Sequence, residues 1–150
     1  MDGQAQLDAF MAKYSPEVAS DARTALAALE RRLPTATRLV YDNYNALVIG
    51  FGTSEKVGDV ILSLALYPRY VTLFFLKGTV IPDPHGLLEG SGATVRSVRL
   101  DPVSRLETAE VQALVDAAVA NAAPLPTGGA GRLIIKSVSA KQRPRRPSGG

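Results

Sequence analysis

The residue types best suited to binding a metal ion lie together in one predicted loop, "GTVIPDPHGLLEGSG", at residues 78–92. The loop holds the only histidine of the chain, His85, with Asp83 two residues before it and Glu89 four residues after it. An imidazole and two carboxylates gathered by one loop are ligands for a hard or ferrous metal ion. A histidine that follows a proline is also an ordinary exposed turn residue. The spacing therefore gives a candidate metal site at Asp83, His85 and Glu89, with a plain turn as the alternative.

A glycine-rich stretch, "GLLEGSG", follows that histidine. Such a stretch can form an anion nest, but a phosphate loop leads into a helix and ends in Lys-Ser or Lys-Thr, whereas this one leads into a strand-like run. The glycines are therefore interpreted as residues that permit positive φ angles in a long connection. Arg96 shares a strand face with Val98 and Leu100, so it either holds an anion at the mouth of the loop or extends its charged head into solvent.

A second polar cluster, "YDNYN", lies at residues 41–45. Its two asparagines are typical of a hairpin turn, which is the plain interpretation. Pockets are mostly apolar with a few convergent polar groups. On that basis Tyr44 and Tyr67 are predicted to line a ligand pocket on an uncovered sheet face, with Asp42 as an acceptor and Arg96 as an anion-holding group.

The residue types needed for catalysis are scarce. The chain has no cysteine, one histidine and no "HExxH" motif, so a nucleophile with a base, or metal ligands at fixed spacing, is not visible. The lack of cysteine excludes disulfides and thiolate sites and favours a reducing compartment. No apolar run approaches the ~18 residues that span a bilayer. We expect a non-catalytic, cytoplasmic protein without membrane contact.

Positive charge is concentrated at the C-terminal end of the sequence. Residues 131–150 hold six basic and no acidic side chains, whereas residues 1–130 hold eleven basic and fourteen acidic ones. The net charge of +3 therefore hides a tail of +6 and a domain of −3. The tail bears Lys141, Arg143, Arg145 and Arg146, with prolines and no apolar residue after Ala140. Because such a segment cannot bury apolar surface, we predict a disordered arm that binds nucleic acid weakly, or only adds solubility.

Three helices are predicted from capping signals and apolar periodicity. Apolar residues at helical spacing over residues 7–14 indicate a short first helix. Ser15 and Pro16 are typical of the N-cap and first position of a second helix, which Pro34 ends. Ser104 and Glu107 have the spacing of a capping box for a third.

Between these helices, short apolar runs separated by turn residues predict an antiparallel meander. The predicted strands are Arg38–Asp42, Leu47–Gly52, Val60–Tyr67, Tyr70–Lys77 and Val95–Leu100. The fold class is therefore α+β, an antiparallel sheet of about five strands with helices packed on one face. The predicted organisation is a domain at 1–123, a flexible linker at 124–131, a candidate edge strand at 132–139 and a disordered basic tail at 140–150.

The middle strands, "VILSLALY" and "VTLFFL", are apolar on both alternate sets of residues. Leaving a second apolar face in water is unfavourable at ~25 cal/mol per Å². We therefore expect that face to be covered by a second subunit or by residues 132–138.

A resemblance to a known family lies in the order and sequence of four stretches: "SPE…ALERRLP", "YDNYNALVIGF", "YPRYVTLFFLKG" and "PDPHGLLEGSG…VRSVRL". Over residues 7–122 the chain resembles the YdhG-like domain family, a large bacterial set. The resemblance implies a frataxin-like sandwich. One branch of that family is described as intracellular iron chaperones. The resemblance therefore implies iron as a cargo and an iron–sulfur or haem assembly partner.

Three functions from different classes follow. The first is a small non-catalytic binding or adaptor domain that uses the second sheet face, with a homodimer as one form. The second, implied by the resemblance, is a frataxin-like iron chaperone. The third is weak, non-specific nucleic-acid binding through the basic tail.

Overall fold

The computed structural model describes residues 2–147, which form three helices and six strands. The helices are α1 (Gly3–Met11), α2 (Pro16–Arg32) and α3 (Ala109–Ala120). The strands are β1 (Thr37–Asp42), β2 (Leu47–Gly52), β3 (Val60–Leu66), β4 (Val71–Phe75), β5 (Arg96–Arg99) and β6 (Leu133–Val138). The predicted α+β class is confirmed. No helix among these residues is long and apolar enough to cross a membrane.

The second helix begins as its sequence predicts, and the third does not. The Ser15 hydroxyl accepts a hydrogen bond from the Val18 amide at 3.3 Å, with a proline at the first helical position. At the third helix, residues 103–107 form a tighter 3₁₀ turn instead of the predicted capping box. Thr108, with extended backbone angles, accepts from the Val111 amide and caps α3. The true cap therefore lies four residues beyond the predicted one.

The sheet has the order β5-β4-β3-β2-β1-β6 and is mostly antiparallel. The four-strand run from β1 to β4 follows the predicted meander, and β5 continues it. The strand β6 lies at the sheet edge, in the segment predicted as a candidate edge strand at 132–139, and because it pairs parallel to β1 the expectation of an antiparallel sheet is corrected. The connection after α3 brings the chain back to the start of β1, where the Arg38 amide donates to the Arg132 carbonyl at 2.7 Å. A strand that enters at the same end as its neighbour must run parallel to it.

The hydrophobic core lies between the helices and one face of the sheet. Alternate strand residues join the apolar residues of all three helices in one cluster. On the central strands these residues are Leu47, Ile49, Phe51, Leu62, Leu64, Leu66, Val71, Leu73 and Phe75.

The other alternate residues form a second surface, which we call the helix-free face: Leu39, Tyr41, Val48, Ser63, Ala65, Thr72, Phe74, Ser97, Arg99 and Ile134. Its hydrophobic members lie outside the core cluster. Leu39 and Ala65 are nevertheless buried, whereas Val48, Phe74 and Tyr41 are only half-buried. On β3 and β4 this face carries Ser63, Ala65, Thr72 and Phe74, so it is less apolar than the core face of the same strands.

The C-terminal segment does not cover that face. Residues 133–138 lengthen the sheet beside β1 instead of lying across it. Main-chain hydrogen bonds along β1 direct the segment to the edge, because the unpaired groups of an edge strand are a template for another strand. The expectation that residues 132–138 act as the cover is therefore wrong. The second-subunit alternative stays a prediction.

Candidate functional site

One end of the sheet collects most of the polar and aromatic groups singled out in the sequence. Asp42, Leu47, Leu66 and Val71 are paired across it, so the β1–β2 turn and the β3–β4 turn lie side by side. The end of β5 and the end of β6 reach the same margin. We call this margin the tyrosine end because it carries four tyrosines: Tyr14, Tyr44, Tyr67 and Tyr70.

A buried carboxylate organises the tyrosine end. Asp42 lies on the core side of β1, with a side chain only 1% exposed. One carboxylate oxygen accepts from Arg145 Nη2 at 2.9 Å and the other from Lys13 Nζ at 2.8 Å. Because burying an unpaired charge is costly, the carboxylate needs both cations.

The protonation of Asp42 reflects two opposed effects. Burial, the largest single effect, raises the pKa of Asp42. Hydrogen bonds from Lys13, Gln142 and Arg145, with the charge of Lys13, outweigh burial and hold the pKa below its ordinary value. The carboxylate is therefore ionised at neutral pH and fixed in an ion-paired cluster.

The segment after β6 is anchored on this cluster. The Ser139 amide donates to the Asp42 carbonyl and the Arg143 amide to the Tyr44 carbonyl, both at 2.8 Å. The buried Arg145 guanidinium also donates to the Asn43 and Tyr44 carbonyls. The prediction of a disordered tail at 140–150 is therefore corrected for residues 140–147, and residues 148–150 lie outside the described part. Charge pairing with a buried acid orders a segment that has no apolar residue to bury.

The four tail residues predicted to bind nucleic acid therefore differ in their exposure. Arg145 is buried and paired with Asp42, so it is not available to a phosphate. Lys141, Arg143 and Arg146 are exposed, although Arg146 Nε also donates to the Lys13 carbonyl at 3.2 Å. Three exposed cations therefore remain in the described part of the tail.

Tyr14 closes the tyrosine end from the helix side. It lies between α1 and α2 and is 1% exposed. Its hydroxyl donates to the Leu66 carbonyl at 3.0 Å and accepts from the Leu47 amide at 3.1 Å, which joins the ends of β3 and β2. The Arg145 guanidinium lies 5.7 Å from its ring centre. Burial raises the pKa of Tyr14, so the neutral hydroxyl is maintained.

The β3–β4 hairpin carries an aromatic corner on the helix-free face. The Tyr67 and Tyr70 rings are 5.3 Å apart between centroids, tilted by 44°. The Arg99 guanidinium lies 3.7 Å from the centre of the Tyr70 ring, a cation–π distance. Both tyrosines are half-buried and Arg99 is exposed. The corner is therefore an accessible aromatic surface with a cation already placed on it.

The predicted ligand pocket is only partly assembled. Asp42, Tyr44 and Tyr67 do lie at one end of the sheet, but Asp42 faces the helices and Tyr44 is 50% exposed on its turn. Arg96 pairs with Phe75 at the opposite end and donates to the Gly92 and Val95 carbonyls, both at 2.7 Å. The inclusion of Arg96, and the placement of Asp42 on the uncovered face, are therefore wrong. Strand direction separates these residues in a way that residue type does not reveal.

The predicted metal site is not assembled either. The two carboxylate oxygens of Asp83 accept from the Leu87 and Leu88 amides, both at 2.9 Å, so this residue caps a turn. The main chain of Glu89 forms a bridge with Ser97, and His85 lies beside α3. Among residues 2–147, no group of three or more His, Asp or Glu side chains is placed to hold a metal ion.

Two small cavities lie away from the tyrosine end. One, of about 100 Å³, lies between the C-terminal end of α3, Asp59 and Lys77. The other, of about 150 Å³, lies between His85 and Glu110 at the start of α3. Ligand pockets usually measure ~300–1,000 Å³. Neither cavity has the volume of a site for a drug-sized molecule.

Sequence reasoning missed Lys13, Tyr14, Tyr70 and Arg99. Lys13 and Arg145 are 29 and 103 residues from Asp42, so no local spacing joins them. Asp42, the single carboxylate of β1 and the last residue of that strand, is the one signal that points to a buried partner.

Comparisons with known proteins add no relative. No family model matches the chain, and no curated protein or solved structure was found to be similar to it.

Proposed function

We propose that this protein is a non-catalytic binding domain whose binding surface is the helix-free face and its margin at the tyrosine end. The observation that carries the proposal is the half-buried aromatic and aliphatic group Tyr41, Val48, Tyr67, Tyr70 and Phe74, all on the side of the sheet away from the core cluster. Contiguous apolar surface of this kind is typical of interaction sites. Aromatic residues are the side chains most enriched at such sites.

The resemblance to the YdhG-like family stays part of this proposal, and with it the more specific fold that it implies, a frataxin-like sandwich. The mostly antiparallel sheet with helices on one side supports it. The iron-chaperone alternative lacks structural support, because residues 2–147 contain no group of three or more side chains placed to hold a metal ion. The nucleic-acid alternative is favoured by a specific arrangement of aromatic and basic side chains, argued below.

Hydroxyl-radical footprinting tests the proposal, because radicals label aromatic side chains in proportion to their exposure. Tyr41 and Phe74 report on the helix-free face, and Phe10, half-buried on α1, is the matched control. The purified chain is labelled in buffer, over a concentration series, and in an extract of the source organism with and without nuclease treatment. We expect Tyr41 and Phe74 to be protected several-fold in at least one condition while Phe10 is unchanged. Equal labelling of all three residues in every condition would show that the face is not a binding surface.

A further inference from the structure

We propose that the tyrosine end binds single-stranded nucleic acid, with bases stacked on its tyrosines and phosphates held by the surrounding arginines. The inference rests on the proposed function, since it uses the margin of the same surface, and it names the class of ligand. It also replaces the prediction that a disordered basic tail binds nucleic acid, because residues 140–147 are docked on the domain.

The exposed charges at this end are mainly positive. Arg69 lies at the tip of the β3–β4 hairpin, Arg99 at the end of β5, and Lys141, Arg143 and Arg146 follow β6. Five exposed cations at one margin of a 150-residue chain match the requirement of a polyanion.

Exposed carboxylates also lie near this end, at Asp101 after β5 and at Glu17 in the first turn of α2, but they are fewer than the five cations. In the six described strands the only carboxylate is Asp42, which is buried on the core side and paired with two cations. Asp101, just after β5, is exposed, but Arg105 donates to the Arg99 carbonyl and brings another cation to the same place. The helix-free face itself carries Arg99 and no strand carboxylate.

Aromatic rings lie among these cations, which the tail sequence alone does not show. Arg99 stacks on Tyr70 at 3.7 Å, and Arg143 lies 5.9 Å from the ring centre of Tyr44. Tyr67 extends the first pair to a group of three. Single-stranded nucleic acid is recognised by stacking unpaired bases on aromatic rings and on guanidinium planes. The fold therefore supplies two stacking positions, each with its own arginine.

The spacing of the two positions suits one strand passing across both. The turn that bears Tyr44 joins β1 to β2, and the turn that bears Tyr67 and Tyr70 joins β3 to β4. Neighbouring strands lie ~4.8 Å apart, so the two turns are separated by about 10 Å. Both turns are exposed or half-buried, so bases can reach them without opening the core. A strand laid along this margin meets Arg143, then the tyrosine pair and Arg99.

Two other occupants fit less well. A duplex keeps its base faces stacked inside the helix, so it offers phosphates but no faces for the tyrosines. A second copy of this chain, docked margin to margin, would bring the same exposed arginines together, and like charges across an interface are unfavourable.

Fluorescence anisotropy with a labelled twenty-nucleotide oligothymidine and the full chain tests the inference. We expect binding at low salt with a log–log salt slope of roughly −3 to −4 for five phosphate contacts. Tyr70→Leu should weaken binding at least about five-fold, since it removes a stacking ring but keeps an apolar side chain. Arg99→Gln and Arg143→Gln should each reduce the magnitude of the salt slope by about 0.7. The matched control is Arg23→Gln, an exposed arginine on α2, which should change binding less than two-fold.

Circular dichroism of each variant confirms that it is folded, and Arg99 and Arg143 are exposed, so their replacement leaves the core intact. The inference is overturned if no binding occurs at ~100 μM protein in low salt. It is also overturned if a duplex of the same length binds as tightly, or if Arg23→Gln weakens binding as much as Arg99→Gln. Protection of Tyr41 and Phe74 by a nuclease-resistant partner, with no oligonucleotide binding, would overturn this inference and leave the proposed function standing.

Discussion

Replacing Arg145 by methionine should destabilise the whole domain, although this residue lies in a segment that reads as a disordered tail. The Arg145 side chain is 5% exposed and its partner Asp42 is 1% exposed, so the pair is removed from water. Methionine keeps much of the side-chain length and removes the charge. Asp42 then keeps only Lys13, whose side chain is 41% exposed, as a cationic partner.

The size of the loss follows from the carboxylate that stays behind. Removing one partner of a buried ion pair costs ~3–5 kcal/mol because the other charge is left uncompensated. Lys13 and Gln142 still contact the Asp42 region, so we expect the low end, a loss of about 3 kcal/mol in the free energy of unfolding. The matched control is Arg146→Met, the next residue along the chain, which is exposed and should cost about 0.5 kcal/mol or less.

The pH dependence separates this reasoning from a loss of packing. The pKa of Asp42 is lowered in the folded state, so its stabilisation is fully present above the unfolded value of ~3.9 and is lost as pH falls through the folded value. The difference between wild type and Arg145→Met should therefore be largest near pH 7 and shrink below about pH 4. Urea unfolding of wild type, Arg145→Met and Arg146→Met at pH 7 and at pH 3 measures this difference in the free energy of unfolding. A loss below about 1 kcal/mol at pH 7, or an equal loss at pH 3, would refute the argument.

Three further expectations follow from the same structure. Tyr14→Phe removes the hydroxyl that joins β2 to β3, so the Leu66 carbonyl and the Leu47 amide lose their hydrogen bonds to it. Urea unfolding should show a loss of about 1–3 kcal/mol in the free energy of unfolding; an unchanged midpoint would contradict this. Asp83→Ala should cost about 1 kcal/mol through the two amides it leaves unpaired, yet anaerobic calorimetry with ferrous iron should give the same heat for variant and wild type. Burial raises the pKa values of Tyr14, Tyr41 and Tyr67, so stability should fall as pH rises above ~10, and the tyrosinate absorbance of these three residues should appear only above that pH; their ionisation at or below pH ~10 in the folded protein would disprove it.

The elements that could be predicted from the sequence are those specified by local signals. Ser15 and Pro16 mark the start of α2 through a cap and a fixed φ angle, both of which act within four residues. The strand at Leu47–Gly52 has the same bounds in sequence and structure, because turn residues precede it and its apolar run is continuous. The start of α3 shows the limit of such signals. Ser104 and Thr108 are both suitable N-cap residues, and Thr108 is the cap because residues 103–107 form a 3₁₀ turn.

The candidate site was less accessible to sequence reasoning because distant pairings build it. Residue type alone indicates Asp42 and Tyr67, but the side of the sheet on which each lies depends on the strand register, and a shift of one residue reverses the face. The lack of apolar residues around Arg145 predicts an exposed side chain, and only the position of Asp42 reveals that Arg145 is buried. Arg99 meets Tyr70 because β5 returns beside β4 after a twenty-residue connection, which no spacing rule encodes.

The parallel strand β6 also fixes an order of events in folding. The β1–β4 meander pairs neighbours along the chain, whereas the β1–β6 ladder joins residue 38 to residue 133 and the Asp42–Arg145 pair spans 103 positions. Contacts of long sequence separation pay their loop-closure entropy before they gain interaction energy, so β6 and its anchor should form late. Late-forming outer elements are commonly the ones that open first in hydrogen exchange. Amide protons of β6 should accordingly exchange faster than those of β2 and β3, and each such opening would leave β1 as a bare edge able to pair with another chain.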